Sequence, residues 1–512
     1  MNPPHMAASR FKLDTAALIW SLAVFAVHAA FAGRYDLFRD ELYFIVCGQH
    51  PAFGYADQPP LVPLMAAGLH ALGHGAWLVR IPAVLAAGLL VYVTIRLVRL
   101  LGGGTLAVVM AALAAATAPI LMGLSAILGT SGFDPLAWTA IALMLVRAIR
   151  HDDNRALIWA GVIAGLDLQI KYSLLLWAVG LAVGIVATPQ RALLRRSALW
   201  IGLGLGAAIA LPSFIWQLRN GLPFLELSAA AASKNADTAL MPFILNQIVI
   251  LNPLFAPIWI AGLVAPFAVA RLKDLRFLAI AYLVTFAVVR LGHGKDYYLA
   301  ACYPALFAIG AVALAPLAKG LVRKAGFALV GALAVAVSAL AAPLALPILS
   351  PPRLVAYMGQ IGFVPQQQEK SFAGTALPQL FADQLGWHDF TRQVVGAWRR
   401  IPADEQAGTA VLVENYGEAA ALDIYGAPQG LPPALSGHNQ YHLWGLRGQG
   451  PTNLLVIESD PEDLKSFCKD VIVLDSTASP YAMVHENGKA IAFCRGLHPP
   501  LAQLWPSLKH MQ

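Results

Sequence analysis

Asp40 and Glu41 stand side by side in the stretch Tyr35-Asp-Leu-Phe-Arg-Asp-Glu-Leu-Tyr43, a few residues past the first membrane-length apolar run. A carboxylate at that point meets the lipid headgroups, where it can take a proton from a hydroxyl. The plainer alternative is an interfacial salt bridge with Arg39 that only sets the loop, an exposed pair of little energetic weight. Asp57-Gln58-Pro59-Pro60 follows, with a carboxylate able to meet hydroxyl groups or a cation and prolines that stiffen the entry to the next helix. Asp134 precedes Pro135, the arrangement of an N-cap with proline at N1, and is compatible with a polar contact as well. Lys171 is isolated between apolar segments, either snorkelling to anchor short helices or reaching a phosphate. Arg290, His293 and Lys295 gather two permanent cations and an imidazole among glycines, a combination suited to neutralising a phosphate as it leaves. Tyr297 and Tyr298 beside them fit an interfacial aromatic belt.

These groups need a scaffold, and the composition describes it. Hydrophobic residues make up 58% of the 512 against 12% charged, at a mean hydropathy of +0.64, which exceeds what a soluble core needs and predicts a polytopic α-helical membrane protein. Apolar runs of the roughly 20 residues that a span requires recur from Ala16 to about Ser350. From about Pro351 to Gln512 the chain is mixed, as in a water-soluble domain. The expected division is therefore 1–350 and 351–512.

Basic clusters at Arg10/Lys12, Arg96/Arg99, Arg147/Arg150/Arg155, Arg191/Arg195/Arg196, Arg271/Lys273/Arg276 and Lys319/Arg323/Lys324 mark the cytoplasmic turns. The turns between them (33–76, 125–133, near Lys171, 219–242 and 290–297) face outward. About eleven spans follow, with the N-terminus inside on an uncleaved first helix and the C-terminal domain outside. Residues 61–73 read as a half-span or interfacial helix, and 156–187 as two short spans. Asp40, Glu41, Asp57, Asp134, Lys171, His293, Lys295 and Asp296 all fall on the outer side. A transporter would place such groups near the midplane of broken helices, with internal repetition that is not evident here.

Arg39-Asp40-Glu41, Asp57-Gln58-Pro59-Pro60-Leu61, Gly132-Phe133-Asp134-Pro135, Lys171-Tyr172-Ser173, Pro212-Ser-Phe-Ile-Trp216-Gln217 and Gly294-Lys295-Asp296-Tyr297-Tyr298 leading to Tyr303-Pro304 occur in this order. In order and spacing they resemble the GT-C glycosyltransferases that use polyprenyl-phosphate sugars, among them protein O-mannosyltransferases and lipid A aminoarabinose transferases. The resemblance implies transfer of a sugar from a polyprenyl-phosphate carrier to a lipid, glycan or protein acceptor at the outer face of a bacterial inner membrane, with inversion at the anomeric carbon. It also implies that Asp40 is the base, that Glu41 positions the acceptor or a neighbouring loop, and that Lys295, His293, Lys171 and Arg290 meet the donor phosphate. Asp57, Gln58 and Asp134 would contact sugar or acceptor. Related enzymes often carry His or Lys where this chain has Gln58, which removes a charge from that position. A lipid-linked saccharide transporter or flippase, or a glycan-binding scaffold, are the competing classes.

No short spacing resembles a dedicated metal motif, so no cofactor is assigned, although the acidic residues with His293 could take a divalent cation. Gly202-Leu-Gly204-Leu-Gly206 lies in an apolar helix and reads as helix packing, not a nucleotide fingerprint. The net charge of +7 is accounted for by cytoplasmic loops and anionic lipids, not nucleic acid. The outer domain reads as α/β, with a helical region over 376–400, strands at 409–413, 453–457 and 471–474, and a helix over 417–424. An Asn487-Gly488 hairpin between 481–484 and 490–493 would close it. Glu414-Asn-Tyr-Gly-Glu418 and Ser436-Gly-His438-Asn439-Gln-Tyr441 with Trp444 fit acceptor recognition or a lid, and equally turn and cap chemistry. Cys468 and Cys494 could pair in an oxidising compartment or remain free thiols; Cys47 and Cys302 are left unpaired.

Overall fold

A computed structural model of the chain describes residues 14–234, 239–365, 374–458 and 460–511. The Arg10/Lys12 cluster lies outside them. Among the described residues five helices are long and apolar enough to cross a membrane: Ile81–Leu100, Thr130–His151, Ser197–Arg219, Asp296–Leu317 and Leu321–Leu344. The bent pairs Leu174–Val186 with Pro189–Arg195 and Leu240–Val249 with Pro253–Ala268 raise that to seven if each is one span. The expectation of about eleven also counts shorter apolar helices such as Thr15–Phe31 and Thr105–Thr117.

Glycine faces let these helices approach closely. A methyl group at Gly161 would lie 2.0 Å from the Gly202 carbonyl oxygen, and one at Gly206 2.4 Å from that of Gly161. Gly310 is held as tightly against Ile258. In lipid, where apolar surface gives little drive to associate, such backbone approach is what binds helix to helix. Gly204 has no atom within 4 Å of its would-be methyl, so packing explains Gly202 and Gly206 but not the glycine between them.

The basic turns meet at one end of the bundle. Arg150 pairs with Asp274 at 2.8 Å, Arg196 with Asp152 at 2.7 Å, and Arg99 with Asp14 at 3.3 Å. Arg271 donates to the Val312 carbonyl at 2.7 Å, next to which Gly103 is packed. The opposite end collects the remaining turns. Leu128 of the 125–133 turn donates to Glu41, Leu61 donates to the Gln169 carbonyl, Lys171 faces Tyr298, and Glu226 pairs with Lys509.

At that end the Arg39–Gln49 and Leu61–Leu72 helices pack so closely that a methyl at Gly48 would overlap the Pro63 carbonyl. Above them lies a five-stranded sheet, in the order β2-β1-β3-β5-β4, of β1 (Thr409–Val413), β2 (Leu435–Ser436), β3 (Asn453–Glu458), β4 (Cys468–Ser476) and β5 (Ala490–Leu497). β1 runs parallel to β2 and β3, and β5 antiparallel to β3 and β4. Alternation along each strand supplies two apolar faces. Val411, Val413, Leu455, Ile457, Ile491 and Phe493 join one core with Phe390 and Val394 of the Trp387–Trp398 helix and with Leu42, Tyr43, Ile45 and Val46 of the Arg39–Gln49 helix. Ala410, Leu454, Val456 and Cys494 point the other way, toward Leu501 and Trp505. The Arg39–Gln49 helix is thus built into the same core as the sheet.

Two expectations for this domain change. β5 does pair as a hairpin, but with β4, Ser476 opposite Ala490, and 481–484 is not a strand. Met483 instead fills a separate core with Phe381 and Leu354, so the connection is a long loop that Gly488 closes on the Thr477 carbonyl. Gly386, at φ 91°, breaks the 376–400 region into Gln379–Ala382 and Trp387–Trp398. Cys468 and Cys494 form a disulfide, while Cys47 and Cys302 are buried free thiols.

Candidate active site

Neighbouring residues of a helix point about 100° apart, and Asp40 and Glu41 use this to face different surroundings. Glu41 is wholly enclosed. Its carboxylate accepts from the Phe38 and Leu128 amides, each at 2.7 Å, and is paired with a fully buried Arg80 at 2.7 Å. Arg80 also donates to the Ala32 and Asp36 carbonyls. Both carboxylate oxygens and all three guanidinium nitrogens have partners, so Glu41 fixes the helix start and the 125–133 turn. Asp40, by contrast, keeps 37% of its side chain exposed. Its Oδ1 accepts from the Tyr416 hydroxyl at 2.8 Å, with the Arg39 Nε 3.8 Å away, and among the described residues Oδ2 accepts nothing.

Tyr416 reaches Asp40 from the sheet. It follows β1 at the start of the Tyr416–Ala421 helix, where Asn415 caps the Gly417 and Glu418 amides and Glu418 accepts from the Glu414 and Asn415 amides. The cap chemistry of the 414–418 motif is therefore present, and it serves to aim Tyr416. β2, parallel to β1, ends on the same side and delivers Asn439 and Gln440. Asn439 Nδ2 lies 3.5 Å from Asp57 Oδ2, and Gln440 accepts from the Ala56 amide at 2.9 Å. Loops beyond the carboxyl ends of parallel strands commonly carry a site.

Asp57 accepts from the Tyr43 hydroxyl at 3.0 Å. Burial pushes its carboxyl up to about 7, reinforced by the charge of Asp40 and opposed by the Tyr43 and Asn439 hydrogen bonds. Gln58 is buried, and among the described residues its amide nitrogen has no partner.

A second group lies against the 125–133 turn. Lys171 donates to Ser131 at 2.6 Å, lies 3.8 Å from the carboxylate of Asp134, and sits 4.8 Å from the centre of the Tyr298 ring. Ser173 donates to Asp134 at 2.7 Å. Lys171, Ser131, Asp134 and Tyr298, with Tyr297 and Leu124, line a small opening. Tyr298, expected only as part of an aromatic belt, is thus a wall of the Lys171 opening. Sequence reasoning also missed Asp167, which is buried in the Asn154–Leu168 helix near Asp134, Trp138 and Lys171, with both carboxylate oxygens lacking a hydrogen bond among the described residues. An acid in an otherwise apolar helix was the available signal.

Lys295, His293 and Arg290 are not among the residues lining that opening. Lys295 is half-buried ahead of the Asp296–Cys302 turn, His293 is exposed at φ 52°, and the buried Nε of Arg290 makes no hydrogen bond among the described residues. Asp296 is held by Asn246 and, through its carbonyl, by Gln247. Among the described residues no three His, Cys, Asp or Glu side chains are gathered as for a metal.

The arrangement, a bundle carrying an α/β domain over one polar end, has solved counterparts. Crystal structures of ArnT from Cupriavidus metallidurans superpose with TM-scores of 0.60 in the apo state and 0.58 bound to undecaprenyl phosphate. They are 15% and 14% identical in sequence and cover 97% and 93% of this chain and 98% and 97% of theirs. The chain has the fold of these ArnT structures. Residues 57–216 also match the family described as dolichyl-phosphate-mannose-protein mannosyltransferase. A comparison with curated protein sequences gave no match. The family match takes in Asp57, Gln58, Asp134, Asp167 and Lys171, and leaves out Asp40, the 290–298 segment and the sheet domain.

Proposed function

We propose that this protein is an inverting glycosyltransferase that moves a sugar from a polyprenyl-phosphate carrier onto a lipid, glycan or protein acceptor. The bundle of 1–350 sits in the bacterial inner membrane with its basic end in the cytoplasm, as the distribution of Lys and Arg favours. The domain of 351–512 then covers the reaction at the outer face. Asp40 takes the proton of the acceptor hydroxyl as that oxygen bonds to the anomeric carbon and the bond from that carbon to phosphate breaks. The departing polyprenyl phosphate carries the negative charge, which Lys171 meets from the opening beneath, with Lys295, His293 and Arg290 bordering the path of the lipid headgroup. Asp57, Gln58 and Asp134 contact sugar or acceptor, or in the case of Asp57 a divalent cation. Glu41 positions and touches neither substrate.

The observation that carries this reading is the half-open carboxylate of Asp40, one oxygen held and the other unengaged, at the end of the bundle where the outer loops converge. The test is purified protein incubated with a panel of polyprenyl-phosphate sugars and scored by mass spectrometry for free polyprenyl phosphate, with Asp40→Asn alongside. Release by the parent protein and none by folded Asp40→Asn is expected. Full turnover by Asp40→Asn removes Asp40 from the mechanism, and movement of the lipid-linked saccharide across a bilayer without cleavage replaces transfer with transport.

A further inference from the structure

We infer that Tyr416, supplied by the outer domain, is a positioning residue that orients the carboxylate of Asp40; the inference rests on Asp40 being the base. Three sets of contacts converge on this tyrosine. Its hydroxyl donates to Asp40 Oδ1 at 2.8 Å, which turns Oδ2 toward the open side. Its ring lies 4.5 Å from that of Tyr43, the residue that holds Asp57, and 5.3 Å from the guanidinium carbon of Arg39. The turn below it is pinned by a buried ion cluster. Lys489, 3% exposed, donates to Glu418 and Glu414 at 2.7 Å and lies 3.5 Å from Glu486, which in turn accepts from Asn415 at 3.0 Å.

The chemistry sorts the roles. A hydrogen bond donated to one oxygen of a carboxylate fixes how the group is turned, so the Tyr416 hydroxyl holds Asp40 in one orientation. Burial raises the phenol well above its ordinary value, with the charge of Asp40 adding to this against Arg39, so it remains a donor throughout the working pH range. Although burial pulls Lys489 down, Glu418, Glu486 and Glu414 hold it well above its ordinary value, and the turn stays anchored over the same range. Gly417 completes the fit: a methyl there would lie 2.4 Å from Cγ of Arg39, whose guanidinium is 3.8 Å from the enclosed Asp383. The outer domain therefore does more than cover the bundle; it contributes the group that sets the geometry of the base.

The test uses the full-length protein in detergent. With an undecaprenyl-phosphate sugar turned over by the parent protein, Tyr416→Phe lowers kcat about tenfold to a hundredfold, as expected for losing a hydrogen bond to a charged group, while KM for the donor stays within about twofold. Asn415→Ala, which loosens the turn and leaves phenol and carboxylate in place, lowers kcat by less with the same unchanged KM, and serves alone if Tyr416→Phe shows no cooperative thermal transition. An unchanged kcat in the folded variant, or a loss that falls on KM, overturns the inference. Turnover by Asp40→Asn instead overturns the reading of Asp40 as base, whatever Tyr416 does to the rate.

Discussion

Glu41→Gln is the substitution whose cost can be worked most directly from the structure. It changes one atom, keeps the shape, and removes the charge facing an enclosed Arg80. Both carboxylate oxygens are fully committed: Oε1 accepts from Arg80 Nε and the Leu128 amide, and Oε2 from the Phe38 amide and from Arg80 Nη2 and Nε. Whichever way the glutamine amide turns, its NH2 group faces at least two donors. Breaking a buried pair from one side costs about 3–5 kcal/mol, and a buried amide left without an acceptor about 1–3 kcal/mol. These overlap, so a loss of about 4 kcal/mol is expected. A buried ion pair can often be replaced by apolar residues at no cost, but not here. Glu41→Met with Arg80→Met would strand the Phe38 and Leu128 amides and the Ala32 and Asp36 carbonyls, so the double variant recovers less than half of the loss. Denaturant unfolding of the detergent-solubilised protein, followed by tryptophan fluorescence, measures both. A Glu41→Gln protein within about 0.5 kcal/mol of the parent, the range of an ordinary surface change, would refute the reasoning.

Because burial raises Asp57 from 3.8 to about 7, the folded state binds its proton more tightly than the unfolded chain. The stability this contributes is full below about pH 4 and is lost as pH climbs through 7, and the pH-dependent part vanishes in Asp57→Asn; unfolding free energies of the two proteins between pH 4 and 8 should diverge as pH rises. Gly202→Ala and Gly206→Ala should lower the thermal midpoint by forcing apart helices already in backbone contact, whereas Gly204→Ala, with nothing nearby, should be neutral or slightly stabilising. Reducing Cys468–Cys494, which closes a separation of 26 residues, should cost the sheet domain about 3.5 kcal/mol, measured by denaturant titration with and without reductant.

Much of this was readable in the chain because lipid constrains sequence strongly. Apolar runs and basic turns gave the bundle, the turns expected to face outward do gather at one end, and β1, β3 and β5 were visible as short apolar stretches between turn residues. The candidate site was less legible. Asp40, Asp57, Asp134 and Lys171 betray themselves as polar residues beside apolar runs, but Tyr416, Asn439 and Gln440 are ordinary loop and helix residues until the sheet carries them roughly 380 positions back along the chain onto the 33–76 segment. Glu41 and Asp40 look alike in sequence and differ in the structure only because one faces Arg80, whose role no local pattern announces. The hairpin at Asn487-Gly488 was misassigned because its turn signal is local, while the pairing of β5 with β4 follows from the core that claims Met483.

The segment after β5 behaves as a splint. Its backbone runs so close to Gly437 that a methyl there would overlap the Leu508 carbonyl, His510 exchanges hydrogen bonds with Gly437 and Asn439, and Lys509 clasps Glu226 across the gap to the bundle. Proteolytic trimming back to about residue 504 would therefore be felt far from the cut. Asn439 and Gln440 would lose their backing, and with it the wall that encloses Asp57, so damage at the far end of the polypeptide would register as a change in the 33–76 segment.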